Sequence, residues 1–216
     1  MNTTNAYLKK MKIAKYLQKI FLLLKTGSTI KFANKPINLT IKKPINLANS
    51  ERIFIGDNVN FGRGCTLYAI TNYPTQKMSS SKYKQKIQIF NPLLKIGNNV
   101  TATSNVMISA VKEIIIEDDV MLASNIFIGD HQHGYDNPYI PYKYQPIFRI
   151  EPIKIKKGCW IGNNCIIMPG VTIGKYSIIG ANSVVTYSIP DQSIAYGSPA
   201  KVIKRWDEMK KKWMVK

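Results

Sequence analysis

From Ile155 onward an aliphatic side chain returns at every sixth residue, at Ile155, Ile161, Ile167, Ile173, Ile179 and Val185. A period of six matches neither the period of about 3.6 of a helix nor that of about 2 of a strand. It combines a short extended segment with a corner, and glycine, which often follows the aliphatic residue (Gly56, Gly62, Gly97, Gly129, Gly162, Gly174, Gly180), would relieve the backbone there. The same phase runs earlier through Ile55, Phe61 and Leu67, through Ile96, Ala102 and Ile108, and, after a slip of two residues, through Ile116, Leu122 and Ile128. Stacked units of this kind bury one aliphatic column per face, so the pattern predicts an all-β solenoid in which each coil depends on its neighbours.

The fourth residue after the aliphatic one is small or β-branched, and all three cysteines fall there, as Cys65, Cys159 and Cys165. Their odd number and the lack of a CxxC spacing argue against a disulfide framework and a zinc site, and their phase makes them small interior hydrophobes. Two gaps, residues 68–95 and 130–152, interrupt the repeat and cannot be absorbed by a packed coil, so both are expected to project as loops. Ahead of the repeat, residues 6–25 place apolar residues at helical spacing between lysines and predict a basic amphipathic helix. Such a helix suits either a packing cap or an anionic membrane surface. The duplicated KPINL at Lys35 and Lys43 predicts short extended lead-in edges, and RWDEMKKKWMVK after Lys204 predicts a short terminal helix. The organisation is then residues 1–50 as helix and lead-in, 51–203 as the coil with its two inserts, and 204–216 as the terminal helix.

The run GCWIGNNCIIMPGVTIGKYSIIGANSVVTYSIPDQSIAYGSPAKVIKR resembles the hexapeptide-repeat acyltransferases, in the branch of maltose, galactoside, xenobiotic and polysaccharide O-acetyltransferases. The resemblance extends from about Ile53 to Arg205. It implies a left-handed parallel β-helix, a homotrimer with sites between subunits, and acetyl-CoA as acyl donor with no metal. It further implies that pantetheine lies along the positions of Trp160, Gly162, Asn163, Gly180, Ala181 and Thr186, with Lys201 toward the coenzyme A phosphates. Relatives often carry Lys after the threonine; here the residue is Tyr187.

The only two histidines of the 216-residue chain stand together in IGDHQHGYD, at the root of the second gap. The resembling enzymes place a catalytic histidine at this point, which makes His131 the candidate general base. Neutral imidazole is suited to taking a hydroxyl proton near neutral pH. His133 could orient His131, touch the acceptor or solvate the loop. Asp130 or Asp136 could hold an imidazole tautomer or cap a turn, and Asn105 aligns with an acceptor-contacting asparagine of relatives.

Charge changes the picture least. A net charge of +19 draws anions, and the first fifty residues hold ten lysines and no acid, but no nucleic-acid motif accompanies them. No stretch reaches the length of a membrane span, and the expected location is the cytoplasm, at the inner membrane face if the basic helix binds lipid. The expected reaction is acetylation of a sugar hydroxyl in capsule or lipopolysaccharide synthesis, without a covalent enzyme intermediate. The alternatives are N-acetylation of a nucleotide-linked amino sugar and, in another class, a non-catalytic scaffold. A γ-type carbonic anhydrase needs three histidine ligands, and this chain has two.

Overall fold

A computed structural model describes residues 30–74, 83 and 85–215. The chain divides at Lys31/Phe32, and the description below concerns the unit from Phe32 onward. The basic helix expected over residues 6–25 lies outside the described residues.

The unit is a coil with three faces, each a parallel sheet. The first face stacks Thr40–Ile41, Asn60–Phe61, Thr101–Ser104, Met121–Ser124, Trp160–Ile161, Ile178–Ile179 and Ser193–Gly197. The second stacks Ile45–Ala48, Cys65–Ala69, Met107–Ala110, Phe127–Gly129, Ile166–Ile167 and Val184–Val185. The third stacks Ile53–Ile55, Leu93–Ile96, Glu113–Ile116, Ile153–Ile155 and Thr172–Ile173, with Ile189 bridging to Ile173. The chain visits the faces in rotation, so each strand pairs with the equivalent strand one coil away. The expected aliphatic columns follow from that register: Ile155 pairs with Ile173, Ile161 with Ile179, and Ile167 with Val185, and every one of these side chains is fully buried. The lead-in segments already belong to the coil, since Ile41 pairs with Phe61 and Leu47 with Leu67. The coil therefore starts ahead of residue 51.

Two corners are finished by polar ladders. Along the first-to-second corner Asn105, Asn125, Asn164 and Asn182 each donate from the side-chain amide to the next. Along the third-to-first corner Asn38, Asn58 and Asn99 donate in the same way, and the ladder ends on the Asp119 carboxylate. All eight have positive φ, between 51° and 60°. Asparagine tolerates that left-handed conformation better than other residues with a Cβ. The glycines after the aliphatic residues have a different reason. At Gly62 an added Cβ would lie 1.5 Å from the Thr103 carbonyl oxygen, so glycine is required by the backbone of the next coil passing overhead.

The third corner, from second face to third, takes every irregularity. It carries the Ser50–Arg52 turn, then an insert over residues 70–92, then the two-residue slip at Val111 and Lys112, then the insert over 130–152. The last coils turn it tightly.

Residues 204–215 do not form the expected helix. Ala200–Asp207 returns antiparallel along Ser193–Gly197, and Lys212–Val215 pairs with it in turn. Trp206 and Trp213 are directly cross-strand, their rings edge to face with centroids 5.6 Å apart. Asp207 Oδ1 accepts the N–H of Met209 and of Lys210 and closes the turn. The open edge of the first face offers unpaired backbone groups, and strand pairing satisfies them where a helix would not.

Cys65, Cys159 and Cys165 are all buried, in line with their phase in the repeat. The Cys159 thiol donates to the Gly174 carbonyl at 2.9 Å, and burial pushes its pKa up to about 11 from 9.0. The folded form keeps this proton to higher pH than the unfolded form. The contribution is therefore complete below about pH 9 and is lost between 9 and 11, as the unfolded thiol ionises first. The urea midpoint should fall across that window, and fall less steeply in Cys159→Ala; equal slopes would contradict the assignment.

Candidate active site

Both inserts leave the same corner, two coils apart, and each begins as a small antiparallel ribbon. Asn72–Tyr73 pairs with Gln88–Ile89 in the first, and Gln132–His133 with Ile147–Phe148 in the second. The ribbons dock on one another. The Gln88 side-chain oxygen accepts the Ile147 N–H at 2.8 Å, and its amide donates to the Ile147 carbonyl at 3.0 Å, a two-point clamp on the backbone of one residue. Gln85 donates to the Gln145 carbonyl at 3.1 Å, and the Tyr83 and Tyr144 rings stack at 5.3 Å. The Tyr73 hydroxyl lies 3.2 Å from His133 Nδ1 and donates to the Lys143 carbonyl at 3.4 Å. Within the second insert the buried Gln145 side chain ties Asn137 and Ile140 together through three hydrogen bonds.

His131 stands at the foot of this paired structure, its side chain 14% exposed, with Nδ1 3.0 Å from Asp130 Oδ1. Asp130 is fully buried, and its carboxylate also receives the backbone N–H groups of Val111, Lys112 and Glu113 at 2.8 to 3.2 Å. Those three residues turn the slip corner of the coil between the two inserts. Of the two roles open to Asp130 in the sequence, tautomer holder and turn cap, its geometry fits both at once. His133 is exposed and engaged with the first insert through Tyr73. The partnership of Tyr73, Gln85 and Gln88 with the second insert was not foreseen, because a contact about sixty residues apart in sequence leaves no local signal.

The other candidates are distributed over different edges. Asn105 lies in the first-to-second corner ladder and donates to Asn125 at 3.0 Å, a strand's length along the second face from His131. Trp160 points outward from the first face, 45% exposed, in a row with Met121, Ile178 and Ile194. Asn163 and Ala181 are exposed on the first-to-second corner, where Asn163 Oδ1 accepts the Ser124 N–H at 2.9 Å. Gly162 and Gly180 lie close under the next coil. An added Cβ would come 2.7 Å from Ala181 N in one case and 2.8 Å from Tyr196 Cβ in the other, so both glycines make room for the following turn of chain. Thr186 follows Val184–Val185 at the same corner as His131, and its hydroxyl oxygen is buried without a hydrogen-bond partner. Lys201 is exposed in the outer hairpin opposite Tyr196. Among the described residues no group of three or more His, Cys, Asp or Glu side chains is placed to hold a metal ion, and no helix is long and apolar enough to cross a membrane.

Residues 152–187 match the family described as bacterial transferase hexapeptide, six repeats. The chain is 34% identical over 123 residues to WbbJ of Escherichia coli K12, a candidate lipopolysaccharide biosynthesis O-acetyl transferase, a match covering 54% of this chain and 63% of that one. It is also 34% identical over 123 residues to the galactoside O-acetyltransferase of the same organism, covering 57% of this chain and 59% of that one. The chain thus spans about three-fifths of the length of these two relatives. Among solved structures, a maltose O-acetyltransferase from Clostridium difficile 630 superposes with a TM-score of 0.53 at 27% identity, covering 82% of this chain and 71% of that one. The N-acyltransferase AntD of Bacillus cereus, in complex with dTDP and 3-hydroxybutyryl-CoA, shares the fold with a TM-score of 0.65 at 22% identity, covering 91% and 89%.

Proposed function

We propose that this chain, a member of the hexapeptide-repeat family of bacterial transferases, is an acetyl-CoA-dependent O-acetyltransferase acting on a sugar hydroxyl in surface-polysaccharide synthesis. The observation that carries the reading is the position of His131, a sheltered imidazole at the foot of the two inserts. In the proposed step the acceptor hydroxyl gives its proton to the imidazole as its oxygen attacks the thioester carbonyl. A carbon–oxygen bond forms, the carbon–sulfur bond breaks, and the departing thiolate recovers the proton from the ring. No protein nucleophile takes part, in keeping with three cysteines that are buried. One relative is named for O-acetyl transfer in lipopolysaccharide biosynthesis and another for O-acetyl transfer to a galactoside, and that supports a sugar acceptor here. A panel of mono- and oligosaccharides and amino sugars, with acetyl-CoA and free thiol as readout, tests it. Turnover confined to amino sugars would replace the O-acetyl reading by N-acetylation, and no turnover with coenzyme A binding absent would favour a scaffold.

The coil is taken as left-handed and the assembly as a homotrimer in the cytoplasm. The outward rows Met121, Trp160, Ile178 on the first face and Met107, Phe127, Ile166 on the second flank one edge and give neighbouring subunits apolar surface to cover. Packing of that kind would bring the donor residues Trp160, Asn163 and Ala181 of one subunit toward Thr186 and Lys201 of another. Sedimentation at micromolar concentration should give a trimer, and Ile166→Glu should shift it toward monomer. A wild-type monomer would contradict the assembly.

A further inference from the structure

We infer that Asp130 is a positioning residue that decides which ring nitrogen of His131 is free to accept a proton, an inference that rests on the reading of His131 as the base. Its oxygens meet donors only: Oδ1 takes the Val111 N–H at 2.9 Å, and Oδ2 takes those of Lys112 at 2.8 Å and Glu113 at 2.9 Å. An aspartate carboxylate in its ionised form carries no hydrogen and can only accept, as these three N–H donors require of it. The group is therefore an acceptor toward His131 as well, and the hydrogen of that 3.0 Å contact belongs to Nδ1. The lone pair is left on Nε2, which has no hydrogen-bond partner among the described residues.

The frame that enforces this is not the insert that carries His131. Val111, Lys112 and Glu113 form the slip corner of the previous coil, and Glu113 continues directly into the third-face strand Glu113–Ile116. Asp130 itself follows directly on the second-face strand Phe127–Gly129, and its carbonyl accepts the Glu151 N–H at 2.9 Å, which joins the two ends of the insert. The ring is oriented by two rigid coils, while the insert beyond it contributes Gln132 onward. The two extra residues at the slip supply the run of N–H groups.

Asp130→Asn distinguishes this role from simple capping of the corner. The amide best keeps the Lys112 and Glu113 bonds by placing its oxygen there, which turns its NH2 toward His131 Nδ1. That nitrogen must then accept, and the hydrogen moves to Nε2. With two histidines in the chain, nitrogen-15 labelling of histidine gives two ring systems, and His133→Ala assigns them. The wild-type protein, at a pH where the ring is neutral, should show His131 with hydrogen on Nδ1. Asp130→Asn should show it on Nε2, and thiol release from acetyl-CoA with a methyl β-galactoside probe should fall roughly 100- to 10,000-fold in kcat, with acceptor KM little changed. A wild-type His131 bearing hydrogen on Nε2 overturns the inference without need of a folded variant. A variant that loses stability yet keeps the wild-type tautomer overturns it too, leaving Asp130 a corner cap. If His131→Ala keeps turnover, the base reading itself has failed. An inactive His131→Ala beside a fully active Asp130→Asn removes the positioning role alone.

Discussion

His131→Ala is expected to lower kcat roughly 100- to 10,000-fold while coenzyme A binds almost as before. The first effect follows from the loss of the proton acceptor at the foot of the inserts. The second follows from the distribution of the donor candidates: Thr186 shares the corner of His131, but Trp160, Asn163 and Ala181 lie on the first face and its corner, and Lys201 in the terminal hairpin. Isothermal titration with coenzyme A and steady-state thiol release separate the two. His133→Ala should act differently, because His133 joins the inserts through Tyr73. Its loss should raise acceptor KM more than it lowers kcat. A wild-type turnover number in His131→Ala, with a verified acceptor, would move the base elsewhere.

Gly62→Ala should be the most destabilising single methyl in the coil. The new Cβ would sit 1.5 Å from the Thr103 oxygen and 2.5 Å from its carbonyl carbon, and both are backbone. Neither strand can retreat: Phe61 is registered with Ala102, and the Gly62 N–H donates to the Ala102 carbonyl at 2.7 Å. A loss of more than about 4 kcal/mol is expected, or failure to accumulate as folded protein. Thr101→Ala, on the exposed side of the same pair of strands, should change stability by about 0.5 kcal/mol or less. Similar urea midpoints for the two variants would refute the close-approach explanation.

The period of six was legible because every aliphatic residue that marks it is an interior residue, and three such units close one coil. The inserts were legible as gaps for the same reason. What glycine does in the repeat was not, since its place after Phe61 or Ile161 looks the same whether the backbone needs an unusual φ or a neighbour needs the space. Asparagines hold most of the left-handed corners, and the glycines that do so, Gly64, Gly158 and Gly170, stand at other positions of the repeat. The terminal segment misled because Trp206, Met209 and Trp213 keep a helical spacing, yet the first and last of these also fall opposite one another across a short turn. At the site, the adjacency of Asp130 and His131 was visible, but nothing near them in sequence points to Val111, Lys112 and Glu113. Those partners exist only once the coils are stacked.

The single irregular corner also sets an order of assembly. Closing the last coils joins partners such as Ile155 and Ile173, eighteen residues apart, whereas Ile55 must find Ile96 across the first insert and Ile116 must find Ile155 across the second. The longer closures cost only about 0.7 kcal/mol more in chain entropy. They must nevertheless be made before neighbouring strands reward them, and rates fall as contacts lengthen. The C-terminal coils are thus the natural nucleus, and the segment between the inserts is recruited late. The clamp of Asp130 on the Val111 corner forms within that segment, but the docking of Gln88 on Ile147 above it must wait until both inserts are closed. Completion of the site would coincide with one of the last steps of folding, so a chain with native C-terminal coils alone would be compact and inactive.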